Sequence, residues 1–468
     1  MPGLLVAGLL IIALLLVHVS VQARPLSSRH PLDVDKELPL PEVGQASTVF
    51  SLTALFGAYF GIYLFLGLPA LAGVASGTVA ALFLIRHWVQ KQQVASFEEF
   101  LTNIFADAGN GHAFAFIVGS AQCAYAASEL LILRQISILA LGMRAEHATV
   151  TAVATGIIGY FYVLFGGYVA VYRTDIMQFG LVALMSLICA AVFFSSGVAG
   201  TQFPPILPRP GYWTIADGMA SDSWIQLSYH FVLGAAMGLG LLAAAPDAWK
   251  RVFVITTLRR PTIGRFAIFV IVGVAPFLAL FPMGFVMPYI PDGAMSTRQI
   301  FAAFPSNNLL FVSLSLGLIA SFLSAHNSAL LAAVHVVLIF RRSQHRVRTE
   351  LPRFHWLMAG ALVVQFFVFS ALLSFDNPYL LGNLLLGPFA IIAAIQIGTD
   401  ARPDRLPTNF VMWIAAAGFA CWIGYFAATV GLPLSPTTYE VNTVPGGVLI
   451  SLIILCLCRA LTSRTNNA

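Results

Sequence analysis

Several groups of residues in this chain carry chemistry that its apolar surroundings do not need. Residues 160–178, YFYVLFGGYVAVYRTDIMQ, run from an aromatic apolar stretch through Gly166-Gly167 to Arg173, Thr174 and Asp175. Glu129 stands inside another apolar run, with Gln122 and Tyr125 seven and four residues before it on a similar helix face. Residues 313–334, SLSLGLIASFLSAHNSALLAAV, set hydroxyls, His326 and Asn327 among leucines and alanines. Oxygen and nitrogen donors placed this way suit the handling of a small cation, a proton or a polar solute. Enzyme chemistry is not expected. There is no Gly-rich phosphate loop with Lys and no His/Glu zinc pattern.

Each group also has a plainer reading. A charge at the middle of a membrane helix costs about 2.5–3.5 kcal/mol on insertion scales, so Glu129 must face a bundle interior. There it is a partner for a substrate amine, a proton carrier or a buried structural ion. Arg134 is five residues on, roughly 140° around the helix, so the two do not face each other as an i,i+4 pair would. Serines of 313–334 can bond the i−4 carbonyl of their own helix. His326, and His230 beside Tyr229, either join helices by hydrogen bonds or relay protons, and His326 is able to titrate in a proton-coupled cycle. Asp175 is either functional or one half of a surface ion pair with Arg173 or a neighbouring loop. Gly166-Gly167 lets the helix end or lets two backbones approach closely, and Arg173 and Asp175 are expected where an aqueous face begins.

The elements that position these groups are membrane helices. The 468 residues are 59% hydrophobic and 9% charged, with a mean hydropathy of +0.87, whereas a soluble domain carries about 25% charged residues. Apolar runs of about 20 residues recur along the whole length, which predicts α-helices and not the short alternating strands of a barrel. The first run, 3–21, is expected to be a retained span, followed by a polar, Pro-rich loop at 22–46. Further spans are read at about 47–67, 68–90, 113–143, 149–171, 177–199, 225–245, 263–288, 309–340, 356–374, 379–398, 408–430 and 444–460, thirteen in all. The loops 91–112 and 200–224 are long enough for small extra helices. The five cysteines (Cys123, Cys189, Cys421, Cys456 and Cys458) all lie in apolar runs and read as small packed hydrophobes, with no disulfide framework or zinc spacing.

All but four of the 24 basic residues (Arg134, Arg144, Arg209 and Arg298) fall in alternate loops and the tail. Basic flanks mark the cytoplasmic side, so the N-terminus is expected outside and the C-terminus in the cytoplasm of a cell inner membrane. A cleaved first run would invert every later loop against that bias. The net charge of +5 is thereby explained by topology, and no nucleic-acid partner is expected.

The order Gly-Gly-x-x-Ala-Val-x-x-Thr-Asp-x-x-Gln at 166–178 resembles the signature of the sodium:solute symporter family. Moderate matches follow at Pro246-Asp247-Ala248-Trp249-Lys250-Arg251 and at 313–328, so the resemblance covers roughly residues 46–400. It implies an all-α integral membrane protein with about 13 transmembrane helices in a LeuT-like five-plus-five inverted repeat. Residues 1–45 would be a first helix and cytoplasmic loop, 46–400 the core, and 401–468 accessory helices. The first helix of each repeat in such a fold is broken near mid-membrane. Gly57, Tyr59 and Gly61 in one half, and Gly234, Gly238 and Gly240 in the other, lie where those breaks would fall. Close helix packing through small residues is the other reading of both clusters. With Gln122, Tyr125 and Glu129, the residues Gly57, Tyr59, Gly61, Gly234 and Gly238 are the candidate substrate contacts.

Anchored on Asn327-Ser328, the family's sodium positions fall on Gly317, Ala320 and Ser321, with carbonyls near Ala46 and Val49. Asp175 matches the family acid on the ion's exit path. A sodium ion wants about five hard oxygens, and Ala320 offers no hydroxyl, so the site looks one ligand short. Water, Ser324 or a carbonyl fills in, or coupling is weakened, lost or passed to protons. The resemblance implies symport of a small polar organic solute with Na+ as coupling ion, no other cofactor, and no enzyme activity. Its alternatives are a transporter-fold sensor or receptor, and a proton-coupled or passive permease.

Overall fold

In a computed structural model, residues 52–104, 108–140, 142–195, 245–278, 308–341 and 350–373 are described, with His18, Val19, Val21, Gln22 and eight single residues between 228 and 242. Every regular element among them is helical. They are α1 (Leu52–Gln92), α2 (Phe97–Ile104), α3 (Ala108–Ala140), α4 (Ala145–Ser195), α5 (Pro246–Val254) with a π turn at Ile255–Arg259, α6 (Ile263–Leu278), α7 (Asn308–Arg341) and α8 (Glu350–Leu373). Most of the expected first span, Ala46, Val49, His230, Gly240 and everything beyond Leu373 lie outside the described residues.

Four of these helices are long and apolar enough to cross a membrane. They are not equivalent. The Ser315–Phe340 stretch of α7 is 94% buried, against 28% for Pro352–Ser370 of α8. α7 is therefore the central post, wrapped by α3, α4 and α1, while α8 packs on its outside. Phe161 and Phe165 on α4, and Trp356, Val363 and Phe367 on α8, face outward, as apolar side chains of a helix bundle in lipid must.

Two expected boundaries are corrected. The spans read at 47–67 and 68–90 are one helix, α1, which passes through Gly57, Tyr59, Gly61 and Pro69 without a break. A membrane helix tolerates Pro because its neighbours satisfy the freed backbone groups, and no polar turn residue at Gly67-Leu68-Pro69 stops it. At 41 residues α1 is about 60 Å long.

The second correction concerns the elbow between 171 and 177. There is no loop there: the helical stretch Ala145–Ser195 is two helices that meet at Gly167, which is not helical at φ 52 and ψ −154. That backbone conformation favours glycine. The chain kinks at Gly167, and Arg173–Asp175 belong to the helix beyond it.

The expected small helix in 91–112 is α2. Ser96 Oγ accepts the Glu99 N–H at 3.1 Å, and Glu99 reaches back to the Ala95 N–H at 3.1 Å, a variant of the capping box. Its Phe97, Phe100 and Leu101 are buried. Phe100 packs at 6.1 Å from Trp249 and Phe97 at 5.9 Å from Phe253, so α2 lies against α5.

Candidate functional site

Asp175 is 1% exposed and sits at the meeting point of three elements. Its Oδ1 accepts a 2.7 Å hydrogen bond from Ser324 Oγ on α7. Its Oδ2 accepts from Arg251 Nη2 on α5. Arg251 Nε donates to Asp247 Oδ2 at 3.0 Å, and its guanidinium lies 4.2 Å from the centre of the Tyr172 ring. Burying three charges is costly unless each is paired and hydrogen-bonded, and here both carboxylates take donors from one guanidinium. The reading of Asp175 as half of a surface pair with Arg173 is overturned. It is a buried acid whose cation comes from 76 positions away.

The Gly167 kink delivers it there. Tyr162, before the kink, and Thr174, beyond it, join their hydroxyls at 2.5 Å, while Thr174 also bonds the Ala170 carbonyl at 3.1 Å. The two arms of α4 are thus fastened to each other. Tyr168 and Tyr172 just beyond the kink are fully buried. They present their rings to Lys250, at 4.3 Å, and to Arg251.

A break does occur in the helix that contains Gly234 and Gly238, but not at the glycines. Residues 238, 239 and 242 are helical. Ala245 is not, at φ −100 and ψ 86, and α5 restarts with Pro246 in its first turn, where a missing N–H is harmless. The carbonyl of Leu242 freed by this break is taken by the Ala245 N–H and the Trp249 indole N–H, both at 3.1 Å.

Gly234 and Gly238 instead press on α1. A Cβ at either would fall on the carbonyl oxygen of Ala70 or Val74, and reciprocally a Cβ at Gly73 or Gly77 would fall on that of Phe231 or Ala235. Two small-xxx-small faces therefore meet. Of the two readings of these glycines, close packing is the one their contacts display.

On α7, Gly317, Ala320 and Ser321 are all buried, with Ala320 and Ser321 fully so. None faces lipid. Gly317 lies against Met185 of α4, whose side chain fills the space a Cβ would need. The carbonyl positions Ala46 and Val49 lie outside the described residues, and the side chains of Gly57, Tyr59 and Gly61 are not described. No cluster of three or more His, Cys, Asp or Glu fit to hold a metal occurs among the described residues.

Glu129 is 3% exposed, and its Oε2 has no hydrogen-bond partner among the described residues. Gln122 is buried and Tyr125 half-buried, with the Tyr125 hydroxyl bonded to Glu129. Arg134 turns away and gives its Nε to Thr149 Oγ1 at 2.8 Å, as the helical angle requires. His326 is held on two sides. Gln365 of α8 meets its Nε2 at 2.6 Å, and its Nδ1 lies 3.2 Å from Asn327 Oδ1. An amide N–H donated to Nε2 leaves the proton on Nδ1.

A second polar chain was not foreseen. His335 Nδ1 meets the Tyr168 hydroxyl at 3.2 Å, and its Nε2 lies 3.5 Å from Glu98 of α2. Burial alone would raise the Glu98 carboxyl. The close approach of His335 and its charge, with that of Lys250, outweigh it and hold the group well below the usual carboxylate range.

No family model matches the chain, and no curated protein sequence matches it. Solved structures do. The manganese transporter of Eremococcus coleocola is similar at a TM-score of 0.51 and 12% identity, over 90% of this chain and 95% of that one. A Na+-coupled sialic acid symporter aligns at a TM-score of 0.49 and 16% identity over 97% of each chain. A nucleobase-cation-symport-1 family transporter aligns at 0.45 and 14% over 91% and 93%. The first likeness is of fold alone: the chain shares the fold of that transporter. Its long apolar helices make it a multi-pass membrane protein. The structures it resembles are transporters and not enzymes.

Proposed function

We propose that the chain is a sodium-coupled symporter of a small polar organic solute, of the sodium:solute symporter type, working by alternating access. The observation that carries this reading is the Ser324–Asp175 hydrogen bond. It brings the acid of the 166–178 signature onto the hydroxyl-bearing face of the central helix, where that family's ion path is expected.

In this reading Gly317, Ser321 and the Ala320 position, with carbonyls of Ala46 and Val49, hold Na+, and Asp175 receives the ion on its way out. Loss of the ion to the cytoplasm then requires the Arg251–Asp175 pair to loosen. Gln122, Tyr125 and Glu129 supply polar contacts to the solute, together with Gly57, Tyr59 and Gly61. Gly234 and Gly238 hold their helix against α1. Residues 46–400 form the transport core and 401–468 accessory helices. Arg86 bonds the Pro261 carbonyl at 3.1 Å, and Lys250, Arg251 and His335 gather at the same end of the bundle. The concentration of basic residues there supports reading that end as the cytoplasmic face of a cell inner membrane.

Proton coupling is the second reading, and the buried Glu129 favours it. Uptake of labelled amino acids, sugars and carboxylates into proteoliposomes, with and without a sodium gradient, separates the two. An inward sodium gradient should accelerate at least one solute in the wild type, and more strongly in Ala320→Ser. Acceleration by a proton gradient alone would select the second reading. Acceleration by neither gradient would remove symport altogether.

A further inference from the structure

Two contacts between α4 and α7 fix their facing. Asp175 meets Ser324, and Met185 meets Gly317. Residue numbers rise along one helix as they fall along the other, so the two run antiparallel here. Gln178 lies three residues beyond Asp175 and seven before Met185, and at ~100° per residue all three share an arc of about 80°. Ser321 likewise lies between Ser324 and Gly317, within an arc of about 60°. Gln178 is about 4.5 Å along its helix from Asp175, and Ser321 about 4.5 Å from Ser324, so they are at one level. Gln178 therefore lies on the face of α4 turned toward Ala320 and Ser321.

Gln178 is 3% exposed, and neither Oε1 nor Nε2 has a hydrogen-bond partner among the described residues. A primary amide withdrawn from water without partners is costly, so a polar ligand at this level is what its burial calls for. The position opposite, Ala320, is the one at which the expected sodium site lacks a hydroxyl. An amide carbonyl is a hard neutral oxygen donor of the kind such a cation takes.

The geometry points to Gln178 Oε1 as a ligand of the coupling cation, supplying from α4 the oxygen that Ala320 on α7 does not. This rests on the sodium-site reading above and deepens it. Gln178 and Ser321 then grip the cation from opposite helices, and its binding ties α4 to α7 immediately above Asp175. Transfer from Gln178 to Asp175 is a move of one helical turn along the same face.

The test uses the purified full-length chain in detergent. Its thermal unfolding is followed as sodium chloride replaces choline chloride at constant ionic strength, for wild type, Gln178→Leu, Gln178→Glu, Ser321→Ala and Gln178→Leu with Ala320→Ser. Gln178→Leu should raise the half-stabilising sodium concentration at least about tenfold, and adding Ala320→Ser should bring it back toward wild type. Gln178→Glu, which keeps an oxygen and adds charge, should lower it, and it serves if the leucine variant does not fold. If Ser321→Ala weakens the sodium response while both Gln178 variants respond as wild type does, the sodium site stands and the ligand assignment is overturned. A lower unfolding temperature in both salts with no shift in the sodium midpoint makes Gln178 a packing residue and overturns it too. A wild-type chain indifferent to sodium overturns the site and this assignment together.

Discussion

Arg251 and Asp175 form an ion pair that is almost wholly sealed from solvent, although 76 residues separate them in the chain. The pair joins the kinked helix α4 to the short helix α5, and through Ser324 it also fastens α7. Replacing Arg251 by Met would leave Asp175 and Asp247 buried without their cation. Breaking one side of such a pair costs about 3–5 kcal/mol. A marked fall in the thermal unfolding midpoint of Arg251→Met is expected, with a partial recovery when Asp175→Asn is added.

The reciprocal contact of Gly73 and Gly77 with Gly234 and Gly238 predicts a strong positional effect of adding a single methyl group. Gly238→Ala drives a Cβ onto the Val74 carbonyl oxygen, and backbone cannot step aside. Gly180 has nothing within 4 Å of its would-be Cβ. Gly180→Ala should stabilise α4 by about 0.5–1 kcal/mol. Opposite shifts in unfolding temperature for the two variants would verify the crossing, and equal shifts would refute it.

These two relationships mark how far the sequence could be read. The Gly166-Gly167 pair signalled a change of backbone direction, and Gly167 makes one. The sequence could not say that helix resumes directly after Gly167, because an apolar run with a charge at its end looks the same as a loop or as a helix. Asp175 was legible as special, but its partner Arg251 was not, since nothing local links positions 76 apart. The glycines of 234–238 were visible, yet only the facing Gly73 and Gly77 separate packing from a helix break. The real break, at Ala245, lay about two turns later. Its signal was Pro246, with the i,i+4 pair Asp247–Arg251 behind it. Residues 67–69 misled because Gly-Leu-Pro ends helices in water, whereas apolar neighbours carry α1 straight through.

Glu98 gives a pH signature at the end of the bundle where α2 sits. Its carboxyl is held below the ordinary range, so its ionised form is favoured by the fold. That contribution is fully present above the unfolded value of about 4.3. It is lost as pH falls below that value toward the depressed folded one. The stability difference between wild type and Glu98→Gln should therefore shrink as pH falls below about 4.3. A difference that grew below that pH would contradict the Glu98–His335 contact.

His326 is bonded to α8 through Gln365 and shielded by Gly159 of α4, where a Cβ would come within 2.8 Å of both Asn327 Oδ1 and His326 Cε1. Gln365→Leu removes the donor from a buried ring nitrogen and should cost about 1–3 kcal/mol. Gly159→Ala should disturb the same cluster from the other side. Unfolding midpoints of the two single variants and the double variant check this, and losses well short of additive are expected because both act on one ring.

The most direct measurement is equilibrium binding of radioactive sodium to the purified full-length chain, wild type against Ser321→Ala. Saturable binding is expected in the wild type, displaced by unlabelled sodium but not by potassium, and lost or weakened at least about tenfold in the variant. No saturable binding, or binding that Ser321→Ala leaves untouched, would contradict a cation site on the buried face of α7.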